Sequence, residues 1–318
     1  QAQIGDPPRL LAQQSFPVVI VPRAPVRMPV VMWGIYSPEN VLKELPRLLD
    51  LGFTHCLGTP LDPKPLMKAG DDAQPVPPRR VESTRRMLDV ALSNNFSVLA
   101  SLSPGTAWKD DRSRLRVDPQ GRPITNRPNV CAAAPDMEAY CRRVGRAVAR
   151  AWGDCPAFEG ALLHSEVRDA ATLCYHPHDY AAARRAGFST IPTQITKSGW
   201  RWDRVPDFPA TRIIPDNEPM LAFLRWWWKH GDGWNALNTA LAQGLREGGV
   251  QPGFWTFHDP AVRVASVWGS GGNVDVLSHW TYSNPDPIRI GLATDELFAM
   301  AAGAARPTRV MKMTQLIW

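Results

Sequence analysis

FEGALLHSE, residues 158–166, is the stretch on which the fold turns. Its apolar run, Ala161-Leu162-Leu163, enters a dense polar knot of His164, Ser165, Glu166, Arg168 and Asp169. A buried strand that ends abruptly in acids and bases is either a catalytic rim or a surface turn. The rest of the chain decides between them.

Outward from this stretch, strand and helix alternate. Met28–Ser37 (MPVVMWGIYS) reads as a buried strand, followed by a helix over 38–51 with Pro at an early position. Phe53–Gly58 is a second strand, 80–95 a helix and Phe96–Ser103 a third strand. A polar loop over 104–129 is too long for a plain connector. Residues 135–152 form an amphipathic helix with Asp136 and Glu138 in its first turn, where acids suit the helix dipole. FEGALLHSE then follows as strand four. An excursion over 170–218 carries a small helix and a Trp-bearing loop, and 218–248 reads as one long helix. Its triplet Trp226-Trp227-Trp228 splays around the axis, so one or two of these rings pack on the body. Gly253–His258, Val274–Tyr282 and Arg309–Trp318 supply strands five to seven, with a helix over 286–303 before the last.

Such alternation argues for an α/β fold with a parallel sheet and helices packed outside it. Seven units over this length argue for a (β/α)8 TIM-type barrel across 28–318, with long loops after strands three and four. An extended Pro-rich arm, 1–27, precedes it. An eighth strand and helix are missing, so the chain is expected to continue past Trp318.

The composition, 44% hydrophobic and 21% charged, fits an ordered domain. No stretch approaches the ~20 apolar residues of a membrane span, so no membrane partner is expected. The net charge of +6 sits on scattered residues and short pairs such as Arg79-Arg80 and Arg142-Arg143, without a nucleic-acid motif. Nucleic acid is therefore not an expected partner. The start Gln1-Ala2-Gln3 fits removal of a secretory signal, so a secreted or periplasmic location is expected. Five cysteines include no CxxC pair. Cys56 reads as a small buried hydrophobe, and disulfides among Cys131, Cys141, Cys155 and Cys174 stay open. Phosphate-loop and GxSxG signatures are absent, and no cofactor is expected. His176-Pro177-His178-Asp179 only loosely resembles a ligand set, because Pro hinders a shared face. His258-Asp259 with His279 is weighed as a divalent-ion site and read instead as ordinary hydrogen-bonded rim histidines, so no metal is assigned.

In a barrel of this kind the active site lies at the carboxyl ends of the strands. Strand one leads to Trp33 and Tyr36, strand two offers His55, and strand three Ser101 and Ser103. Strand four leads to His164, Glu166 and Arg168, and strand five to His258 and Asp259. Strand six leads to His279, Trp280 and Tyr282, and strand seven to Gln315. Polar and aromatic groups thus converge on one rim. Sugar rings present flat C–H faces that stack on Trp and Tyr, which makes Trp33, Trp280, Tyr36 and Tyr282 candidate platforms. His164, Arg168, His258, His279 and Gln315 are expected to orient hydroxyl or carboxylate groups. Glycoside hydrolysis needs two carboxyl groups. Glu166, following a buried strand, is the candidate general acid, since desolvation raises a carboxyl pKa. Asp259 or Asp275 is the candidate second carboxylate.

The arrangement resembles glycoside hydrolase clan A, the retaining (β/α)8 enzymes, especially the β-galactosidase-like members. FEGALLHSE is similar to their strand-four segment, and MWGIYSPENVLKELPRLLDLGFTHC to their first strand–helix–strand. FLRWWWKHGDGWNALNTAL is similar to the Trp-bearing helix after their strand four. The resemblance implies an acid/base Glu after strand four, at Glu166, and a nucleophilic Glu after strand seven. Two departures matter. Ser165 stands where the clan has Asn, and Gln315 stands near the nucleophile's place. A Gln amide hydrogen-bonds but cannot attack as a carboxylate.

The expected function is therefore hydrolysis of a poly- or oligosaccharide. One alternative is a polysaccharide lyase acting on a uronate, with His258, His279 or Tyr282 as base and Arg168 facing the carboxylate. The other is a barrel that binds carbohydrate without cleaving it.

Overall fold

The computed structural model describes residues 2–4, 9–12, 28–60, 76–125, 130–164, 172–197, 199–201, 213–259, 273–281 and 286–314. Seven strands form one sheet: β1 (Val31–Met32), β2 (His55–Pro60), β3 (Ser97–Leu102), β4 (Phe158–Leu163), β5 (Trp255–His258), β6 (Val276–Thr281) and β7 (Arg309–Thr314). All six pairings are parallel, and the spatial order of the strands is their order in the chain. The helices are α1 (Pro38–Asp50), α2 (Pro78–Ser93), α3 (Met137–Trp152), α4 (Pro177–Arg185), α5 (Pro219–Trp226), α6 (Trp234–Gly248) and α7 (Pro287–Ala302). This is the TIM-like α/β arrangement. Small antiparallel pairs, Ala2–Ile4 with Arg9–Ala12 and Ile195–Thr196 with Gly199–Trp200, stand apart from the sheet.

The sheet separates two apolar layers. Leu57, Leu99, Leu162, Trp255, Phe257 and Val276 pack on its concave, inner side, with Val31, Trp33 and Met311 against them. The larger layer lies between sheet and helices and includes Val98, Ala100, Leu102, Ala161, Leu163 and Leu277. Neighbouring strand residues thus alternate between layers, as a period of two requires. The tightest helix contact joins α3 to α6. There a Cβ on Gly145 would stand 2.4 Å from the Leu241 carbonyl oxygen, and one on Gly244 2.2 Å from that of Arg142. Only glycine lets these backbones touch.

Three expectations change in detail. The first strand is only two residues long, because the Val30 amide turns to the Thr54 hydroxyl (2.8 Å) and Gly34 takes φ +95°. The long helix expected over 218–248 is two helices. Residues Trp227–Gly231 form a π turn, Gly233 adopts φ +82°, and the Asp232 carboxylate accepts from the Trp234 amide (3.1 Å), restarting the helix. A side chain at Gly233 would strike Ala133 N at 2.7 Å. Finally, all five cysteines are buried free thiols, so no disulfide forms among them. Among the described residues no helix is long and apolar enough to cross a membrane.

Candidate functional site

The carboxyl ends of the strands mark one mouth of the sheet. Trp33 follows β1, half-buried against the inner apolar layer, and Tyr36 beyond it is 47% exposed. Ser101 of β3 pairs in register with the inward Leu162. On β5 the inward residues are Trp255 and Phe257, and the alternation brings Asp259 to that same side, nine-tenths or more buried. Trp33, Tyr36, Ser101 and Asp259 are thus among what the described residues bring toward the mouth.

The three histidines expected there face the other way. His258 alternates with Phe257 and lies on the helix side, its Nδ1 3.2 Å from the Leu163 carbonyl oxygen. His279 shares the side of Leu277 rather than Val276, in register with Lys312. Burial, and then the Lys312 charge, lower its pKa to about 4. His164 should follow Leu162 inward, but its φ of +49° turns the ring outward against Trp234 and Cys141. Burial, and then His258, drive its pKa to about 3. All three are at most 1% exposed, so none of them presents its ring at the mouth in this structure.

Asp275 is also corrected. It precedes β6, at the amino end of the sheet, and its carboxylate accepts from Thr256 N (2.8 Å) and Thr256 Oγ1 (3.0 Å). It also pairs with Arg246 and Arg306. That is a fastening between β5, β6, α6 and the approach to β7, remote from the mouth. His55 likewise sits at the amino end of β2, with Nε2 2.8 Å from Glu159 and Nδ1 2.6 Å from Thr54 Oγ1. Glu166, Arg168, Tyr282 and Gln315 lie outside the described residues, as does the Trp280 side chain.

A second cluster takes up His176 and Asp179, which the sequence reading set aside, and joins them to Cys131 and Cys174, which it did not connect with them. Cys131, before α3, meets Cys174, His176 and Asp179, which lie before and within α4, and their donor atoms all fall within 4.8 Å of one another. Cys174 Sγ is 3.1 Å from His176 Nδ1, His176 Nδ1 is 3.6 Å from an Asp179 oxygen, and Cys131 Sγ is 3.6 Å from the same carboxylate. A tetrahedral zinc-class ion with bonds of 2.0–2.3 Å places its donors about 3.3–3.8 Å apart. Three of the separations fall near that range and the whole set lies within 4.8 Å, so two thiols, one imidazole and one carboxylate could close on such an ion.

The surroundings favour the anion at Cys174 and Asp179, whereas the hydrogen bond with Cys174, and then burial, push the Cys131 thiol well above its ordinary value. Burial pushes the Cys174 thiol up, but its hydrogen bond with Cys131 and the Arg116 guanidinium outweigh this and bring it to about 7. Burial also opposes ionisation of Asp179, yet His176, His178 and Arg116 hold its carboxyl far below the ordinary range. Asp179 in turn raises the His176 pKa. Arg116 is fully buried and donates to the carbonyls of Thr172 (2.9 Å) and Asp232 (2.7 Å), which ties the cluster to the start of α6.

No sequence family matches the chain, and no curated protein does. Solved structures do. The β-galactosidase from the psychrophilic Marinomonas ef1 aligns with TM-score 0.51 and 18% identity over 80% of this chain and 41% of that one. The β-galactosidase from Bacillus circulans sp. alkalophilus aligns with TM-score 0.52 and 14% identity over 90% and 45%. That from Rahnella sp. R3 gives TM-score 0.50 and 14% identity over 84% and 42%. The likeness is one of fold: this chain has the TIM-like barrel architecture of these glycoside hydrolases. It spans less than half the length of each.

Proposed function

We propose that the chain is a glycosidase acting on a poly- or oligosaccharide, secreted or periplasmic, with Glu166 as general acid/base and Asp259 as the second carboxylate. The observation that carries the reading is Asp259, a buried carboxyl at the carboxyl end of a barrel strand, in a fold shared with β-galactosidases. Glu166 follows the strand next to β5, so both acids issue from neighbouring strands. Trp33, half-buried against the inner layer, and Tyr36, 47% exposed beyond it, are the rings on which a sugar would stack in this reading. Arg168, Trp280, Tyr282 and Gln315 complete the rim in this reading. The four-donor cluster would hold a zinc-class ion in a structural part, since four protein donors would leave a tetrahedral ion no open position for a substrate.

The chemistry follows from two carboxyl groups. The protonated one gives its proton to the leaving glycosidic oxygen, and the ionised one attacks the anomeric carbon or draws a proton from water. Which of these the second acid does depends on its separation from the first. The lyase alternative loses two of its bases, because His258 and His279 face the helices. Binding without cleavage keeps support from Gln315 at the expected place of the nucleophile.

A panel of 4-nitrophenyl glycosides including the β-galactoside tests the reading. Release of nitrophenolate, abolished in both Glu166→Gln and Asp259→Asn, is the expected result. Turnover at the wild-type rate in either variant removes that residue, and sugar binding without turnover selects the binding barrel.

A further inference from the structure

Lys312 lies on β7, in register with His279 of β6. Met311 turns to the inner layer, so Lys312 points to the helix side, where His279 stands beside Leu277. Neighbouring strands run about 4.8 Å apart, so the two side chains rise next to each other. The Lys312 stem is half-buried, but its Nζ is shut off from solvent and has no hydrogen-bond or ion-pair partner among the described residues. The His279 ring is fully buried, and both of its nitrogens are likewise without a partner there.

The covering elements offer neither group an acceptor. α7 packs on β6 and β7 with Ala293, Leu297 and Met300, all apolar. The acids nearby are engaged elsewhere or point away. Asp275 pairs with Arg246 and Arg306 at the amino end of the sheet, and Asp286 accepts from the Ile288 and Arg289 amides at the start of α7. Asp295 is exposed on the outer face of α7 with Ile288 and Leu292, and no ion pair joins Glu296 to Lys312.

Two ordinary explanations of such a lysine fail. A lysine that guards a sheet edge keeps its head in water, and this head is out of water. A lysine that is neutral at pH 7 has fallen about three pH units or more below its ordinary value. Burial does lower the Lys312 pKa, but a half-buried stem does not bring the full shift of a wholly buried group. The ammonium is therefore charged at neutral pH, and a charge held out of water calls for an opposite one.

We infer that Lys312 and His279 form a binding site for a small inorganic anion of the size of chloride, between the sheet and α7. The ammonium supplies the charge and the imidazole an N–H donor. A bulky anion would have to open the layer between β7 and α7, so the site selects a small one. It lies on the opposite side of the sheet from the candidate mouth and does not depend on the glycosidase reading. Bound there, the anion fastens β7 to β6 and to the helix that covers them both.

The test melts the full chain at neutral pH in sodium gluconate, with chloride or bromide replacing gluconate at constant ionic strength. An anion that binds the folded state alone raises the thermal midpoint with the logarithm of its concentration. A rise of about 2–4 °C over about a hundredfold increase in chloride is expected. Lys312→Met keeps the stem and removes the charge; it should lose that rise and melt in gluconate no lower than the wild type. Lys43→Met, at an exposed lysine of α1, is the control and should keep the rise. Bromide-soaked crystals of the wild type give a reading that needs no variant, an anomalous peak within hydrogen-bond reach of Lys312 Nζ and His279. A midpoint indifferent to chloride overturns the inference, and so does an equal rise in Lys312→Met, which is a general salt effect. Crystals with no peak at the pair overturn it as well. A peak at molar bromide without any rise in the midpoint is an adventitious ion only and counts against it too.

Discussion

Cys174 Sγ and His176 Nδ1 lie 3.1 Å apart, two residues from each other in the chain, with Asp179 one helical turn further on. The chain from 174 to 179 therefore supplies three donors at once, and Cys131 closes the set from 43 residues away. Protein purified without chelator is expected to carry about one zinc-class ion per chain by elemental analysis. Cobalt substitution should give the absorption bands of a tetrahedral thiolate site. Cys174→Ser or Asp179→Asn should lose the ion and lower the thermal midpoint. A metal-free wild type of unchanged stability after zinc addition would sink the assignment.

Gly145→Ala is expected to destabilise the fold by about 1–3 kcal/mol, the usual cost of overpacking, or more if the helices cannot part. The added methyl meets the α6 backbone at 2.4 Å, and backbone cannot swing aside as a flexible side chain would. Gly291→Ala on α7, where a Cβ meets nothing within 4 Å, is the contrasting variant and should be neutral or slightly stabilising. Urea unfolding compares them.

Stability should fall as pH drops from about 6.5 toward 4. His164 and His279 have folded-state pKa values of about 3 and about 4, both depressed by burial, against an ordinary value near 6.5. Between those limits the unfolded chain binds protons that the folded chain refuses, so acid favours unfolding. Each such group contributes up to about 1.4 kcal/mol per pH unit within its window. Above pH 6.5 neither contributes a slope. His279→Gln should flatten the profile between pH 6.5 and 4; an identical slope in variant and wild type would exclude His279 as a source.

Asp275→Asn and Asp259→Asn should separate stability from activity. Asp275 neutralises Arg246 and Arg306 at the amino end, so its loss is expected to cost about 1–3 kcal/mol while leaving kcat within about twofold. Asp259→Asn should do the reverse, abolishing turnover in a folded protein. Loss of turnover in folded Asp275→Asn would contradict its placement.

Strand order and strand direction were legible because apolar runs announce themselves, and FEGALLHSE was placed correctly through Leu163. What failed was orientation. His258 and Asp259 are neighbours in sequence, yet a two-residue period sends them to opposite faces, and only the observed inner partners Trp255 and Phe257 say which is which. His164 eluded even that period, because a positive φ is a property of one backbone bond and leaves no mark in composition. Asp275 was misjudged by treating any acid near a strand as a rim acid, although its place before the apolar core of β6 marks the amino end. The break in the long helix did leave a sign, the two glycines of Gly231-Asp232-Gly233. The metal-fitting cluster left only half of one, since Cys131 joins the others through the fold alone.

Because the spatial order of the seven strands repeats their order along the chain, each strand docks on one already made, and none must be threaded between two earlier ones. Every sheet contact then spans a single intervening unit, which keeps loop-closure costs small and favours rapid assembly. A chain emerging from the ribosome can lay down this sheet as it is synthesised, strand by strand from its amino end. The growing edge at any moment is the one that the next unit covers, which limits the time that edge is open to aggregation.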